Sequence, residues 1–140
     1  HAAHAAAAGG DGVIEGFGLI GVEPFLNGVA SLLVEVEEAG LQNVRLLADD
    51  ARLLLRLLQP ASLDRIFVLF PDPWPKLRHR KRRIVNDDTL DLMTRSLRPG
   101  GELRLGTDDP DYAAAMTKAL NRNPALTPVA DPARPADWPP

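Results

Sequence analysis

The stretch DRIFVLF, Asp64–Phe70, decides the fold. It is a continuous apolar run with β-branched and aromatic residues, the pattern of a strand covered on both faces in a parallel sheet. Reading outward in both directions, strand-like and helix-like segments alternate. Upstream, Ile20–Glu23 is a short apolar run ending in an acid, and Pro24 suits the first turn of a helix, where a missing N–H costs nothing. Leu26, Val29, Leu33 and Val36 recur at helical spacing, and Gly40 supplies the stop. NVRLLADD, Asn43–Asp50, reads as a strand, followed by a Leu-rich helix over Ala51–Leu58 and a turn at Pro60. Downstream, Asn86 and Asp87 can cap a helix with Leu90, Met93 and Leu97 on one face, closed by RPGG. ELRLGTD is another strand; Asp109 caps the last helix, with Pro110 at its first position and Tyr112, Met116, Ala119 and Leu120 on one face. Past Asn121 the chain becomes Pro- and Ala-rich, so residues 122–140 are expected to form an extended tail.

Four alternations of strand and helix predict a single α/β domain of doubly wound type with right-handed crossovers. In that architecture ligands bind beyond the carboxyl ends of the strands. Glu23, Asp50, Asp72 and Asp108 all fall at or just past such ends and are expected along one rim. Strand-to-helix turns also favour Asp simply as a cap, and for Asp50 that reading stands beside ligand binding. Pro73 and Pro75 prevent a helix from starting normally after Asp72, which weakens the capping reading there.

The 140 residues carry a net charge of −3, 45% hydrophobic content and no cysteine, which fits one globular domain without disulfides. No apolar run is long enough to span a bilayer and no secretory leader is apparent, so a cytoplasmic address and no membrane partner are expected. The chain opens on His1, with HAAHAAAA reading as a helix already under way, and stops at Pro140; a fragment of a longer product is expected. Three glycines in GFGLIG, Gly16–Gly21, match a dinucleotide-binding pattern literally, but the acid follows two residues on and Leu19–Val22 are better used as strand. His1, His4 and His79 are too scattered to form a metal set, and no metal is expected.

After DRIFVLF comes PDPWPKLRHRKRR, Pro71–Arg83. Six of the sixteen Lys and Arg residues (Lys76, Arg78, Arg80, Lys81, Arg82 and Arg83) lie within eight positions, on an otherwise acidic chain. This segregation suggests a polyanion meeting one face, against the plainer readings of a solvated loop or a localisation signal. Prolines at 71, 73 and 75 stiffen the loop around Asp72 and Trp74. Trp74 offers a flat face for a base, or more modestly a plug that packs the loop onto the domain, which is the favoured reading.

FPDPWPK followed by RHRKRR resembles the bacterial tRNA (guanine-N7)-methyltransferases. The resemblance extends to GVEPF, NVRLLADDA and LRPGGELRLGTDDPDYA and covers roughly residues 19 to 120. It implies a Rossmann-like class I fold dependent on S-adenosylmethionine, truncated at the first strand, and transfer of a methyl group to N7 of a guanine in the variable loop of tRNA. It further implies Glu23, Asp50 and Asp72 in the cofactor pocket, Asp72 as the catalytic carboxylate and Lys76 and Asp108 as substrate contacts. Arg78, His79, Arg80, Lys81, Arg82 and Arg83 would form the RNA-binding segment, and the partner would be tRNA, with a monomer favoured. The family's first strand with its glycine-rich turn, and its C-terminal Thr-[Lys/Arg]-[Phe/Tyr]-Glu segment, are not found in the sequence. Weak cofactor binding by the chain as given is therefore expected, with a noncatalytic RNA-binding module as the alternative and a protein-docking loop as a third reading.

Overall fold

A computed structural model describes residues 3–7 and 18–129 of the protein. The elements in chain order are β1 (Ala3–Ala7), β2 (Gly18–Val22), α1 (Leu26–Glu38), β3 (Val44–Leu47), α2 (Ala51–Leu57), β4 (Leu63–Leu69), a 3-10 helix (Leu77–Arg82), α3 (Asp87–Ser96), β5 (Leu97–Gly106) and α4 (Pro110–Arg122). The described strands form one sheet in the order β3-β2-β1-β4-β5. β2 is parallel to β3 and β4 to β5, while β1 runs antiparallel to both β2 and β4. Strands β2 to β5 therefore all point the same way, each followed by a helix, as the alternation predicts.

The Ala-rich start departs from the helix expected there: Ala3–Ala7 is a strand at the centre of the sheet. Alanine is the best intrinsic helix former, but propensity yields to tertiary context. Between β2 and β4 this segment pairs on both sides and occupies the backbone donors and acceptors of two strand edges.

The sheet is covered unequally. Along β4, Leu63, Ile66 and Val68 are buried, whereas Phe67 and Leu69 are half-buried and Arg65 is exposed. Among the described residues the cover expected on both faces of DRIFVLF is thus unequal, complete on one face and partial on the other. The covered face carries α2, α3 and α4, whose Leu55, Leu90, Met93, Tyr112, Met116 and Ala119 join Ile66 and Val68 in one apolar cluster. No residue of α1 is buried among the described residues.

Helix starts follow the sequence closely. Asn86 and Thr89 form a reciprocal capping box on α3, Thr89 N–H donating to Asn86 Oδ1 at 3.0 Å and Asn86 N–H to Thr89 Oγ1 at 3.1 Å. Asp109 caps α4 by accepting from Tyr112 N–H at 2.7 Å, and Pro110 takes the first turn. Two boundaries move. Pro24 lies ahead of α1, whose N-cap is Phe25. α3 ends at Ser96, so Leu97 and RPGG belong to β5, where the register slips between Leu63 and Arg65 and Gly100 takes φ +79°. The slip lets a sequence that looks like a helix terminator serve as the irregular start of a strand. Gly18–Gly21 of the GFGLIG pattern lies within β2, as its reading as strand requires, and Gly16 and the tail beyond Val129 lie outside the described residues.

Candidate active site

Register places the strand ends at one level. Val22 pairs with Leu47 on one side and with Ala3 on the other; Ala3 pairs with Val68, and Val68 with Leu105. Glu23, Asp50, Asp72 and Asp108 therefore leave the sheet at the same end. Two bonds close the rim, Glu23 N–H to Leu47 O at 3.1 Å and Phe70 N–H to Gly106 O at 2.7 Å. With strands about 4.8 Å apart, the ends of β2 and β4 are separated by about 10 Å across β1.

The four acids differ in surroundings. Glu23 is buried, and its Oε1 accepts from Phe25 N–H at 3.1 Å. Its side chain lies against Gly28 in the first turn of α1, where an added Cβ would come within 2.7 Å of Glu23 Cγ. Asp50 is the N-cap of α2: its Oδ1 accepts from Arg52 N–H at 2.8 Å and its Oδ2 from Arg52 Nη1 at 2.9 Å. The capping role weighed for Asp50 is thus present. Asp72 is half-buried, and among the described residues its carboxylate makes no hydrogen bond or ion pair. Asp108 is exposed beyond β5.

Around Asp72 the backbone is strained. Phe70 and Trp74, two residues to either side, adopt φ +50° and +42°, conformations that cost non-glycine residues about 1–3 kcal/mol each and that cluster at functional sites. The loop is held by its own cationic end. Arg83 is buried; its Nε donates to Pro73 O at 2.6 Å, its Nη2 to Asp111 Oδ2 at 2.7 Å, and its guanidinium lies 4.6 Å from the centre of the Tyr112 ring. Tyr112 in turn accepts at its hydroxyl from Val85 N–H at 3.0 Å, and burial pushes its phenol above the usual tyrosine value. Arg80 Nη2 also reaches Asp111, at 3.2 Å. The hydrogen bond from Arg83, with the charges of Arg80 and Arg83 adding to it, holds the Asp111 carboxyl below the usual carboxylate value.

Trp74 packs within the segment, with the Arg82 guanidinium 4.9 Å over its ring and the His79 ring edge-on at 5.9 Å. These partners belong to the same segment, so Trp74 packs the loop on itself, where the sequence reading has it plugging the loop onto the domain. Lys76, at the N-cap of the 3-10 helix, and Arg78, Arg80, Lys81 and Arg82 are exposed; His79 is half-buried. Sequence reasoning singled out Glu23, Asp50, Asp72 and Asp108 but missed Arg52, Asp111 and the hydroxyl of Tyr112. Their roles depend on contacts 27 to 31 residues away, and Asp111 reads locally as an ordinary first-turn acid.

Two features of the rim stand out: the Gly28 surface leaves room for a buried acid at the end of β2, the position at which doubly wound nucleotide-binding folds place an acid for ribose, and the Asp72 carboxylate beyond β4 is unengaged by described residues. A cationic segment begins four residues beyond that carboxylate, at Lys76.

The family whose model matches, described as "Putative methyltransferase", covers residues 17–137. A tRNA (guanine-N(7)-)-methyltransferase of Paramagnetospirillum magneticum is 52% identical over 127 residues, covering 87% of this chain and 53% of the relative. Proteins of the same name from Nitrobacter winogradskyi and Azorhizobium caulinodans are 50% and 48% identical, covering 86% and 78% of this chain. The chain spans about half the length of these curated relatives.

Proposed function

Because the chain belongs to this methyltransferase family, we propose that it carries the catalytic rim of an S-adenosylmethionine-dependent tRNA (guanine-N7)-methyltransferase with a Rossmann-like class I fold. The observation that carries this reading is the carboxylate of Asp72, half-buried and unpaired among the described residues, on the same rim as Glu23 at the root of a cationic loop. Relatives named for that reaction support it.

In this reading Glu23 accepts from the ribose hydroxyls, Asp50 lies on the adenine side, and Lys76 and Asp108 meet the substrate. S-Adenosylmethionine supplies an electrophilic methyl group on a sulfonium. Guanine N7 offers a lone pair and carries no proton at neutral pH, so Asp72 need not act as a base; alignment supplies most of what is required. A fixed carboxylate at the rim stabilises positive charge as it develops on the purine, which is electrostatic preorganisation. Pro71, Pro73 and Pro75 and the bond from Arg83 to Pro73 O hold Asp72 in place before substrate arrives, against the strain at Phe70 and Trp74.

Arg78, His79, Lys81 and Arg82 take the phosphates, joined by Arg80 when RNA competes with Asp111. Arg83, buried against Pro73 O and Asp111, anchors the segment from inside. The test is Asp72→Ala in the full-length protein. Tritiated-methyl transfer to unmodified tRNA falls by about 10²–10³-fold while filter binding of tRNA changes little. Retained turnover would overturn the role of Asp72, and a wild-type protein that binds tRNA without labelling it would leave a noncatalytic RNA-binding module.

A further inference from the structure

Arg52 belongs to both halves of the site. Its backbone N–H and its Nη1 hold the two oxygens of Asp50 at the start of α2, at 2.8 and 2.9 Å. Its Nη2 donates to Arg82 O at 2.9 Å and Arg83 O at 3.1 Å, 30 and 31 positions along the chain. Those carbonyls lie at the C-terminal end of the 3-10 helix, where backbone acceptors have no partner within the helix. The side chain is about a quarter exposed, with 26% of its surface accessible, so these bonds are partly shielded from water. A planar fork of donors can meet an acid on one side and two carbonyls on the other; an ammonium group is a single point and cannot span them equally.

We propose that Arg52 is a positioning residue that sets the exit of the cationic segment in register with the acid at the start of α2, making the cofactor side and the RNA side of the rim one unit. The proposal rests on the function given above. Arg83 fixes the segment through its side chain to Asp111 and Pro73, and Arg52 fixes it through its backbone, so each restraint acts on a different part of the same turn.

The experiment uses the full-length protein, with Arg52→Gln and Arg52→Lys compared against wild type in methyl transfer to unmodified tRNA and in limited trypsin digestion. The segment Arg78–Arg83 is dense in tryptic sites, so cleavage there reports its mobility directly. Arg52→Gln raises KM for tRNA about tenfold, the value of a charge-assisted hydrogen bond, with a smaller change in kcat, and accelerates cleavage within 78–83. Arg52→Lys recovers part of both effects. Faster cleavage with unchanged KM would overturn the proposal, since Arg52 would then be only a structural tie. A raised KM with unchanged cleavage would also overturn it, pointing to direct contact with RNA. If wild-type protein transfers no methyl group to tRNA, the functional reading fails on its own, and digestion alone decides whether Arg52 holds the segment: faster cleavage sustains the tie and unchanged cleavage sinks it.

Discussion

The two halves of the rim are built to different standards. On the β4–β5 side the loop carrying Asp72 stands on the main core: Ile66 and Val68 beneath it are buried against α2, α3 and α4, and Arg83, Tyr112 and Asp111 lock its far end. On the β2–β3 side α1 buries none of its residues, and Phe25, Leu26, Leu33 and Val34 are more than half exposed. The lesson is that the two proposed tasks have different mechanical backing. The carboxylate that would act on the base is fixed by packing and by the anchors of its proline-rich loop, whereas the acid that would hold the ribose, buried and accepting from Phe25 N–H, borders a helix that buries none of its residues.

The contrast can be broken first at its strongest point. Leu90→Ala removes a fully buried side chain of the core cluster that includes Ile66 and Val68 and lowers the stability of the chain by about 3 kcal/mol, measured by urea denaturation. A loss below about 1 kcal/mol would mean that the core is not what supports this half. Gly28→Ala comes next. The new methyl group displaces Glu23 and weakens S-adenosylhomocysteine binding by the full-length protein about tenfold in calorimetric titration, even though alanine favours the helix by about 1 kcal/mol. Unchanged affinity would separate Glu23 from the ligand.

A smaller effect follows from Asp111. Its carboxyl is held below the usual value in the folded chain, so its ionised form favours folding at pH above the unfolded-state value, and the contribution is lost as pH falls through the lowered folded value. Asp111→Asn therefore flattens the fall in stability as pH drops below the usual carboxylate value, seen by denaturation at each pH. Parallel wild-type and variant profiles would remove the clamp from the account. Least affected is Leu33→Ala on α1, more than half exposed, which changes stability in this chain by no more than about 0.5 kcal/mol.

What could be read from the sequence was whatever rests on local chemistry. The caps at Asn86 and Asp109, the apolar run of β4 and the acids after each strand depend on neighbours within a few residues, and they stand where their patterns predict. What could not be read rests on partners distant in the chain. The Ala-rich strand has helical composition and becomes β only because two strand edges flank it. RPGG looks like a helix stop and enters β5 because Gly100 and the register slip accommodate it. Arg83 is indistinguishable in sequence from the cations before it, yet it alone of the six is buried, because Tyr112 and Asp111 of α4 meet it. The acids of the rim were therefore visible, and the device that holds them was not.

The stacking of Arg82 on Trp74 carries a spectroscopic consequence. The chain has two tryptophans, Trp74 and Trp138, so Trp138→Phe leaves the indole of the proline-rich loop as the sole long-wavelength emitter. With a guanidinium 4.9 Å above that ring and an imidazole edge at 5.9 Å, its fluorescence registers any polyanion that draws Arg82 away. Occupancy of the loop can thus be followed optically, without a label, at the residue next but one to Asp72.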